Sequence, residues 1–383
     1  MATTGCQQRE ARGTDIVTRD SAGIEIVQSP GADHPLNWRF TESFRLGGAD
    51  AGPASFYQIE PRDVKTDQDG RIYVLDRANY RVVLFSSTGE YLRSFGRRGG
   101  GPGEISVPAA LSVGPDGTIS VMDYSKGGLV RFGADGSALQ STPIELPYSG
   151  GRMVHTERGL LLNILEGYLE GYRSTDQSVV YDRLVLLGVD GGTVEIASLE
   201  RNRPRMVRYT GCVGIDLAPL FGPELNWDAD GDRIAVNDTT AYVVDMFRGE
   251  RRIASYRRDL SLRSVDRDDA LAELGKGKTV VIPGGRCRID PVEELEGRGY
   301  ADRLPAISAL AVSPDGMIWV RRGSFREEAA LIDLLDRDGR YLGTLPAGSP
   351  FPVAFISSDT LIVKETDEFD IEYIVAYSIS REA

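Results

Sequence analysis

Apolar and polar residues alternate in short runs along this chain, and glycine turns separate the runs at regular distances. Two segments show this most clearly, VKTDQDGRIYVLD (64–76) and LSVGPDGTISVMD (111–123). Their turn glycines, Gly70 and Gly117, are 47 residues apart. A period of this size, with about four strands in each unit, is typical of a β-propeller blade.

Further units repeat this pattern more loosely, which brings the total to six. Asp-Gly and Gly-Gly steps supply the positive φ angles that tight hairpin turns need. Alternation within each run places every second side chain on one face, as a half-buried strand requires. The looser units are 153–199, 226–256, 310–345 and 354–379.

The last unit has only three strands before the chain ends. WRFTESFRLGG (38–48) alternates in the same way and is predicted to place Phe40, Phe44 and Leu46 on one face. We expect this segment to be the outer strand of blade six, because that pairing closes the ring and removes open sheet edges. The prediction is an all-β fold: a single six-bladed propeller of four-stranded antiparallel blades over residues 20–383, after a flexible tail at residues 1–19.

Two insertions depart from the blade pattern, at about 203–224 between blades three and four and at about 264–305 between blades four and five. The second insertion contains two predicted helices. Asp266 is the expected N-cap of the first, and Asp290, followed directly by proline, is the expected N-cap of the other. Excursions of this length are often functional, so we expect either a partner or ligand surface or a cover over the blade edges.

Two of the three cysteines, Cys212 and Cys287, lie one in each insertion. Since both insertions flank blade four, their tips could meet and the two thiols could form a disulfide. That bond would close a loop of about 75 residues and contribute roughly 4 kcal/mol in the chain-entropy model. It would also indicate an oxidising compartment. The alternative is two unrelated thiols in loops.

The third cysteine, Cys6, ends a Thr-Thr-Gly-Cys sequence that resembles the end of a bacterial lipoprotein signal, where the cysteine is lipidated. Thr3 stands where such signals prefer leucine, and no apolar segment precedes it. Either translation starts further upstream or the resemblance is accidental. The polar tail after Cys6 favours the first explanation and predicts a membrane tether.

Charge narrows the range of partners. The chain has 57 acidic and 44 basic residues, for a net charge of -13. This balance disfavours non-specific nucleic-acid binding, which depends on neutralising phosphates. No apolar run approaches the ~18 residues that a membrane-spanning helix needs.

Blade one carries a D-x-x-N-x-R stretch, formed by Asp76, Asn79 and Arg81, and a GRRGGGPGE connector. It resembles an NHL-type repeat, and nearly the whole chain resembles a group of bacterial six-bladed propellers that includes many predicted envelope lipoproteins. The resemblance implies a periplasmic or extracytoplasmic location at a membrane. It also implies structural roles for Asp76 and the equivalent Asp123, which would bond loop backbone or a neighbouring arginine. It implies no reaction, because propellers host enzymes, receptors and scaffolds alike.

Few residues suit catalysis. The only histidines are His34 and His155, which excludes a three-histidine zinc site. G-x-S-x-G, P-loop and Rossmann motifs do not occur in the sequence. Asp228, Asp230 and Asp232 alternate like the start of a calcium loop, but the sixth position lacks the required glycine, so we predict a hairpin turn.

Two hypotheses about function follow from the sequence. The first is a non-catalytic scaffold that binds a protein partner, such as an accessory subunit on the extracytoplasmic face of a respiratory or photosynthetic complex. Its membrane contact would come through the tether or through that partner. The second is a calcium-dependent hydrolase or lactonase, or a carbohydrate binder, that uses the central channel. The first predicts no catalytic, cofactor or metal residues, and the second requires a channel Ca²⁺ or a channel ligand.

Overall fold

The computed structural model describes residues 16–48, 50–144, 149–166, 179–188, 191–202, 206–209, 212–215, 219–282, 285–323 and 329–381. Within them, six sheets of antiparallel strands form the blades of a ring around a central channel. The predicted six-bladed β-propeller is therefore confirmed.

The strands follow the predicted order. Three precede blade one: β1 (Val17–Ser21), β2 (Ile24–Ser29) and β3 (Arg39–Gly47). Blade one consists of β4 (Val64–Thr66), β5 (Ile72–Asp76), β6 (Arg81–Phe85) and β7 (Tyr91–Phe95). The connector after it holds β8 (Arg97–Arg98) and β9 (Glu104–Ile105). Blade two consists of β10 (Pro108–Val113), β11 (Ile119–Asp123), β12 (Gly128–Phe132) and β13 (Thr142–Pro143).

Blades three and four surround the first insertion. Blade three consists of β14 (Ser149–Thr156), β15 (Gly159–Glu166), β16 (Val179–Gly188) and β17 (Thr193–Asn202). The insertion holds β18 (Met206–Tyr209) and β19 (Cys212–Ile215). The blade-four strands are β20 (Asn226–Asp230), β21 (Arg233–Asn237), β22 (Val243–Arg248) and β23 (Arg251–Arg258).

The second insertion separates blades four and five. Its elements are α1 (Arg267–Leu274), β24 (Lys278–Ile282), β25 (Gly285–Ile289) and α2 (Pro291–Arg298). Blade five consists of β26 (Ile307–Val312), β27 (Ile318–Arg322), β28 (Ile332–Leu335) and β29 (Tyr341–Leu345). Blade six contains β30 (Ala354–Ser357), β31 (Thr360–Thr366) and β32 (Glu372–Ser380). Among the described helices, neither has the length and apolar character to cross a membrane.

The outer strand of blade six comes from the N-terminal part of the chain, as predicted: β3 pairs antiparallel with β32. The expected common face of Phe40 and Phe44, however, is wrong. A β-bulge between Glu42 and Phe44 shifts the register, and an extra residue in a strand reverses which face the following side chains occupy. Phe40 thus packs near Trp319 of blade five, whereas Phe44 packs in the apolar cluster shared with blade one.

The segment before β3 extends the closure over two more blades. Strand β2 pairs parallel with β23, so β1 and β2 enlarge blade four to six strands. In blade five, the backbone amide of Thr344 on β29 donates to the carbonyl of His34 (2.7 Å). The backbone carbonyl of Thr344 accepts from the amide of Leu36 (2.9 Å). Residues 17–47, which we call the N-terminal strap, thus join blades four, five and six. Residues 1–15, with Cys6, lie outside the described part of the chain.

The core lies between neighbouring blades rather than at the centre of the ring. Trp319 is 1% exposed and packs between blades five and six, 5.9 Å from Trp38 and 6.0 Å from Phe355 between ring centroids. Clusters of this kind hold each blade against the next. The six innermost strands, β4, β10, β14, β20, β26 and β30, line the channel.

Candidate functional site

The two insertions fold onto each other, although about forty residues of blade four separate them in the sequence. The amide of Leu220 donates to the carbonyl of Gly299 (3.0 Å), and the amide of Ala301 donates to the carbonyl of Leu220 (2.8 Å). These bonds form a parallel bridge between Leu220 and Tyr300. We call the described residues of 206–224 and 264–305 the insertion module.

An apolar cluster holds the insertion module together. Leu220 from the first insertion packs with Ala270 of α1 and Leu295 of α2, and all three are less than 9% exposed. Partly buried side chains cover this cluster: Phe221, Leu271 and Leu274. Helix α2 also lies against β18, so the module has contacts of its own beyond those that attach it to the ring.

Local sequence sets the starts of both helices as predicted. Asp266 caps α1 by accepting from the amide of Asp269 (2.9 Å). Asp290 caps α2 by accepting from the amide of Val292 (2.8 Å), with proline at the first helical position. The outer surface of the module carries apolar side chains, because Val292 and Tyr300 are each 38% exposed.

The two cysteines of the predicted disulfide lie in hairpins of this module. Cys287 is on β25 and is 5% exposed. Cys212 begins β19 and pairs with Tyr209 through its backbone, while its side chain lies outside the described part of the chain. The bond itself stays a prediction.

Asp76 lies at the end of β5 and is fully buried. Its carboxylate accepts from Arg81 Nε (3.0 Å), Asn79 Nδ2 (2.8 Å) and the amide of Tyr57 (3.2 Å). Arg81 also donates to the carbonyl of Ser55 (2.7 Å). The D-x-x-N-x-R stretch thus ties the loop before blade one to its second and third strands.

Asp123 occupies the equivalent position in blade two and is also fully buried. Its carboxylate accepts from backbone amides of the preceding connector, at Ser106 (2.6 Å) and Val107 (3.2 Å), and from the amide of Ser125 (3.0 Å). Both aspartates therefore anchor loops to the ring, and neither faces an open site.

Charged side chains from three blades meet in the channel. Arg152 on β14 donates to the carbonyl of Trp227 (2.5 Å) and to Asp228 (2.5 Å), both on β20. Its guanidinium lies over the Trp227 ring, 4.7 Å from the centroid. The second oxygen of Asp228 accepts from the amide of Val312 (2.8 Å) on β26. One carboxylate thus links blades three, four and five.

Lys65 on β4 is the third member of this group. Burial lowers its pKa to about 8, with a further lowering from the positive charge of Arg152 and opposing effects from Asp228 and Asp63. Asp63 is buried beneath β4 and bonds Arg77 Nε (2.6 Å). Burial raises the pKa of Asp63, although Arg77 opposes that effect.

The aspartates of 228–232 and His155, described candidates for metal binding or catalysis, lie in separate local contacts. Asp230 and Arg233 pair across the hairpin between β20 and β21, which confirms the predicted turn. His155 Nε2 lies 3.5 Å from Ser120 Oγ, and burial lowers the pKa of its imidazole. Over the described ranges, no three His, Cys, Asp or Glu side chains come close enough to hold a metal ion.

Comparisons with known proteins agree on the fold. A family model described as a 6-bladed β-propeller (DUF5128) matches residues 58–189. A predicted exported protein from Bacteroides fragilis is 14% identical with a TM-score of 0.53, and the alignment covers 94% of this chain and all of that one. A DUF4221 family member from Bacteroides vulgatus is 10% identical with a TM-score of 0.51, covering 90% and 99%.

A more distant likeness is to virginiamycin B lyase from Staphylococcus aureus, solved with quinupristin. It is 11% identical with a TM-score of 0.40, covering 88% of this chain and 99% of that one. No curated protein sequence matches the chain significantly. At their identities the two Bacteroides likenesses show the fold alone.

Proposed function

We propose that this protein is a non-catalytic binding propeller whose insertion module docks a protein partner. The observation that carries the proposal is the contact between Leu220 and the 299–301 segment, which joins two insertions from opposite ends of blade four. The ring of six blades is formed by other strands, so the module is an ordered addition to a complete fold. Val292 and Tyr300 give its surface the apolar area that partner recognition uses.

We also propose that the protein lies outside the cytoplasm, at a membrane. The Thr-Thr-Gly-Cys sequence at Cys6 supports a lipid tether, and a Cys212–Cys287 bond would require an oxidising compartment. The NHL-like stretch of blade one and the exported bacterial protein of similar fold support the same location. We propose that the partner belongs to a membrane assembly, for example a respiratory or photosynthetic complex that this protein serves as an accessory subunit.

The channel offers less support for the calcium-dependent alternative. Lys65 and Arg152 place two positive groups around Asp228, and Asp228 already bonds Arg152 and Val312. Ca²⁺ prefers six to eight oxygen ligands, and cationic neighbours oppose its binding.

The test is affinity capture of the tagged protein from mildly solubilised native membranes, with mass spectrometry of the captured proteins and metal analysis of the same sample. We expect a stoichiometric membrane complex and no stoichiometric calcium. Repeated recovery of the protein alone would contradict the docking proposal. Recovery of the protein alone with one calcium ion per chain would favour the hydrolase alternative.

A further inference from the structure

Lys65 lies on the innermost strand of blade one with its side chain partly open to the channel. Its ammonium group makes no hydrogen bond and no ion pair with the described residues, although lysine carries three donors. A charged group that is partly removed from water and lacks a partner is destabilising. The position is therefore unusual for a residue with a purely structural role.

Both carboxylates that act on Lys65 already have their own arginine. Asp63 bonds Arg77 through two nitrogens, at 2.6 and 2.7 Å. Asp228 bonds Arg152 at 2.5 Å, and its other oxygen accepts from a backbone amide. Pairing each aspartate with its arginine leaves Lys65 as one positive charge without compensation, in a protein whose net charge is -13.

Arg152 is held in place near Lys65, because its strand β14 contacts the turn Pro61–Asp63 that directly precedes β4. Trp227 lies under its guanidinium, and two of its nitrogens are fixed by the Trp227 carbonyl and Asp228. A guanidinium has five N–H donors, so this geometry leaves donors beyond the two that these bonds use. A rigid cation in the same part of the channel as an unpaired ammonium group is a preorganised arrangement for an anion.

We propose that the channel binds one small oxyanion, a carboxylate or a phosphate, between Lys65 and Arg152. The anion would accept hydrogen bonds from the Lys65 ammonium and from the remaining N–H groups of Arg152. Its negative charge would offset the charge of Lys65, which Asp63 and Asp228 do not compensate. Charge-assisted bonds of this kind are stronger than bonds between neutral groups. The ring alone builds this site, so it does not depend on docking by the insertion module.

The first experiment is isothermal titration calorimetry with sodium phosphate and, separately, sodium acetate, at constant ionic strength. Lys65→Met keeps the length of the side chain and removes its charge. Lys276→Met makes the same change at an exposed position of the insertion module. We expect wild type and Lys276→Met to bind one anion per chain. Lys65→Met should bind it at least about tenfold more weakly, because the substitution removes a charge-assisted bond.

Which of the two anions binds shows whether the site takes a phosphate or a carboxylate. Absence of binding of both anions to wild type, or equal affinity in Lys65→Met, would overturn the proposal. Because Lys65 has no described protein partner, the thermal midpoint of Lys65→Met should not fall, which separates lost binding from lost folding.

A second measurement needs no substitution. Acetic anhydride modifies neutral amines, so Lys65, with its lowered pKa, should react readily at about pH 8. Mass spectrometry would follow the acetylation of Lys65 and Lys276 with and without the anion that gives heat in the titration. We expect that anion to slow acetylation of Lys65 several-fold and to leave Lys276 unchanged. Equal rates at Lys65 with and without the anion would contradict the assignment.

Discussion

Arg258 of blade four and Asp333 of blade five form an ion pair of 2.5 Å from which solvent is fully excluded. Asp333 also accepts from Arg322 Nε (3.0 Å) and from Thr344 Oγ1 (2.7 Å). Arg258 in turn donates to the carbonyl of Pro30 (3.0 Å) in the N-terminal strap. This pair therefore ties together blade four, blade five and the N-terminal strap.

Replacing Asp333 with alanine should destabilise the protein strongly. The substitution leaves the buried Arg258 guanidinium with only the partly exposed carboxylate of Asp33, 3.2 Å away, and breaking a buried pair in this way costs up to about 3–5 kcal/mol. Urea unfolding measures the difference. Asp338→Ala, at an exposed pair with Arg340, is the control and should change stability by less than about 0.5 kcal/mol. Similar effects of the two substitutions would show that the buried pair does not hold the ring.

Asp76→Ala should lower the thermal midpoint clearly. The change removes the buried carboxylate that accepts from Arg81, Asn79 and the amide of Tyr57, and the loss of these charge-assisted bonds costs about 3 kcal/mol. Differential scanning calorimetry measures the midpoint. Asp69→Ala removes a carboxylate that is 77% exposed in the same blade and serves as the control. An unchanged midpoint for Asp76→Ala would remove its structural assignment.

The sequence predicts the blades because their determinants are local. Gly70 and Gly117 have φ of +73° and +75°, and such turns repeat with the period of the blades. Asp266 and Asp290 mark both helix starts for the same reason, since an N-cap contacts residues only two or three positions away. Local signals of this kind can be read from a single sequence.

The N-terminal strap and the channel could not be predicted in this way. Strand β2 pairs with β23, more than 200 residues away, and its alternation indicates a strand without identifying the partner. Lys65, Arg152 and Asp228 come from three blades, and nothing in their neighbouring residues marks them as a group. The bulge at Glu42 also has no sequence signal, which explains the wrong assignment of Phe40 and Phe44 to one face.

Leu295→Ala should loosen the insertion module and leave the ring intact. Leu295 is 4% exposed in the cluster with Leu220 and Ala270, and truncating a buried leucine costs about 2–5 kcal/mol. Hydrogen exchange should increase in the module but not in blades one and two. Val292→Ala, on the same helix but 38% exposed, is the matched control and should change exchange little. Equal protection of the module in both variants would show that the cluster does not hold it.

The Cys212–Cys287 disulfide should appear as one cross-linked peptide pair after digestion without reductant. Reduction should lower the stability of the module, by up to about 4 kcal/mol in the chain-entropy model. Cys287→Ser should reproduce the effect and make the protein insensitive to reductant. Recovery of both cysteines as free thiols from protein kept under oxidising conditions would contradict the prediction.

The docking proposal is tested most directly by placing a photo-reactive phenylalanine analogue at Val292 and irradiating native membranes. The matched control carries the same analogue at Leu139 on blade two, where the native side chain is 37% exposed against 38% for Val292. The proposal predicts a single cross-linked partner protein at Val292 and no cross-link to that protein at Leu139. No partner at Val292, or the same cross-links from both positions, would contradict it.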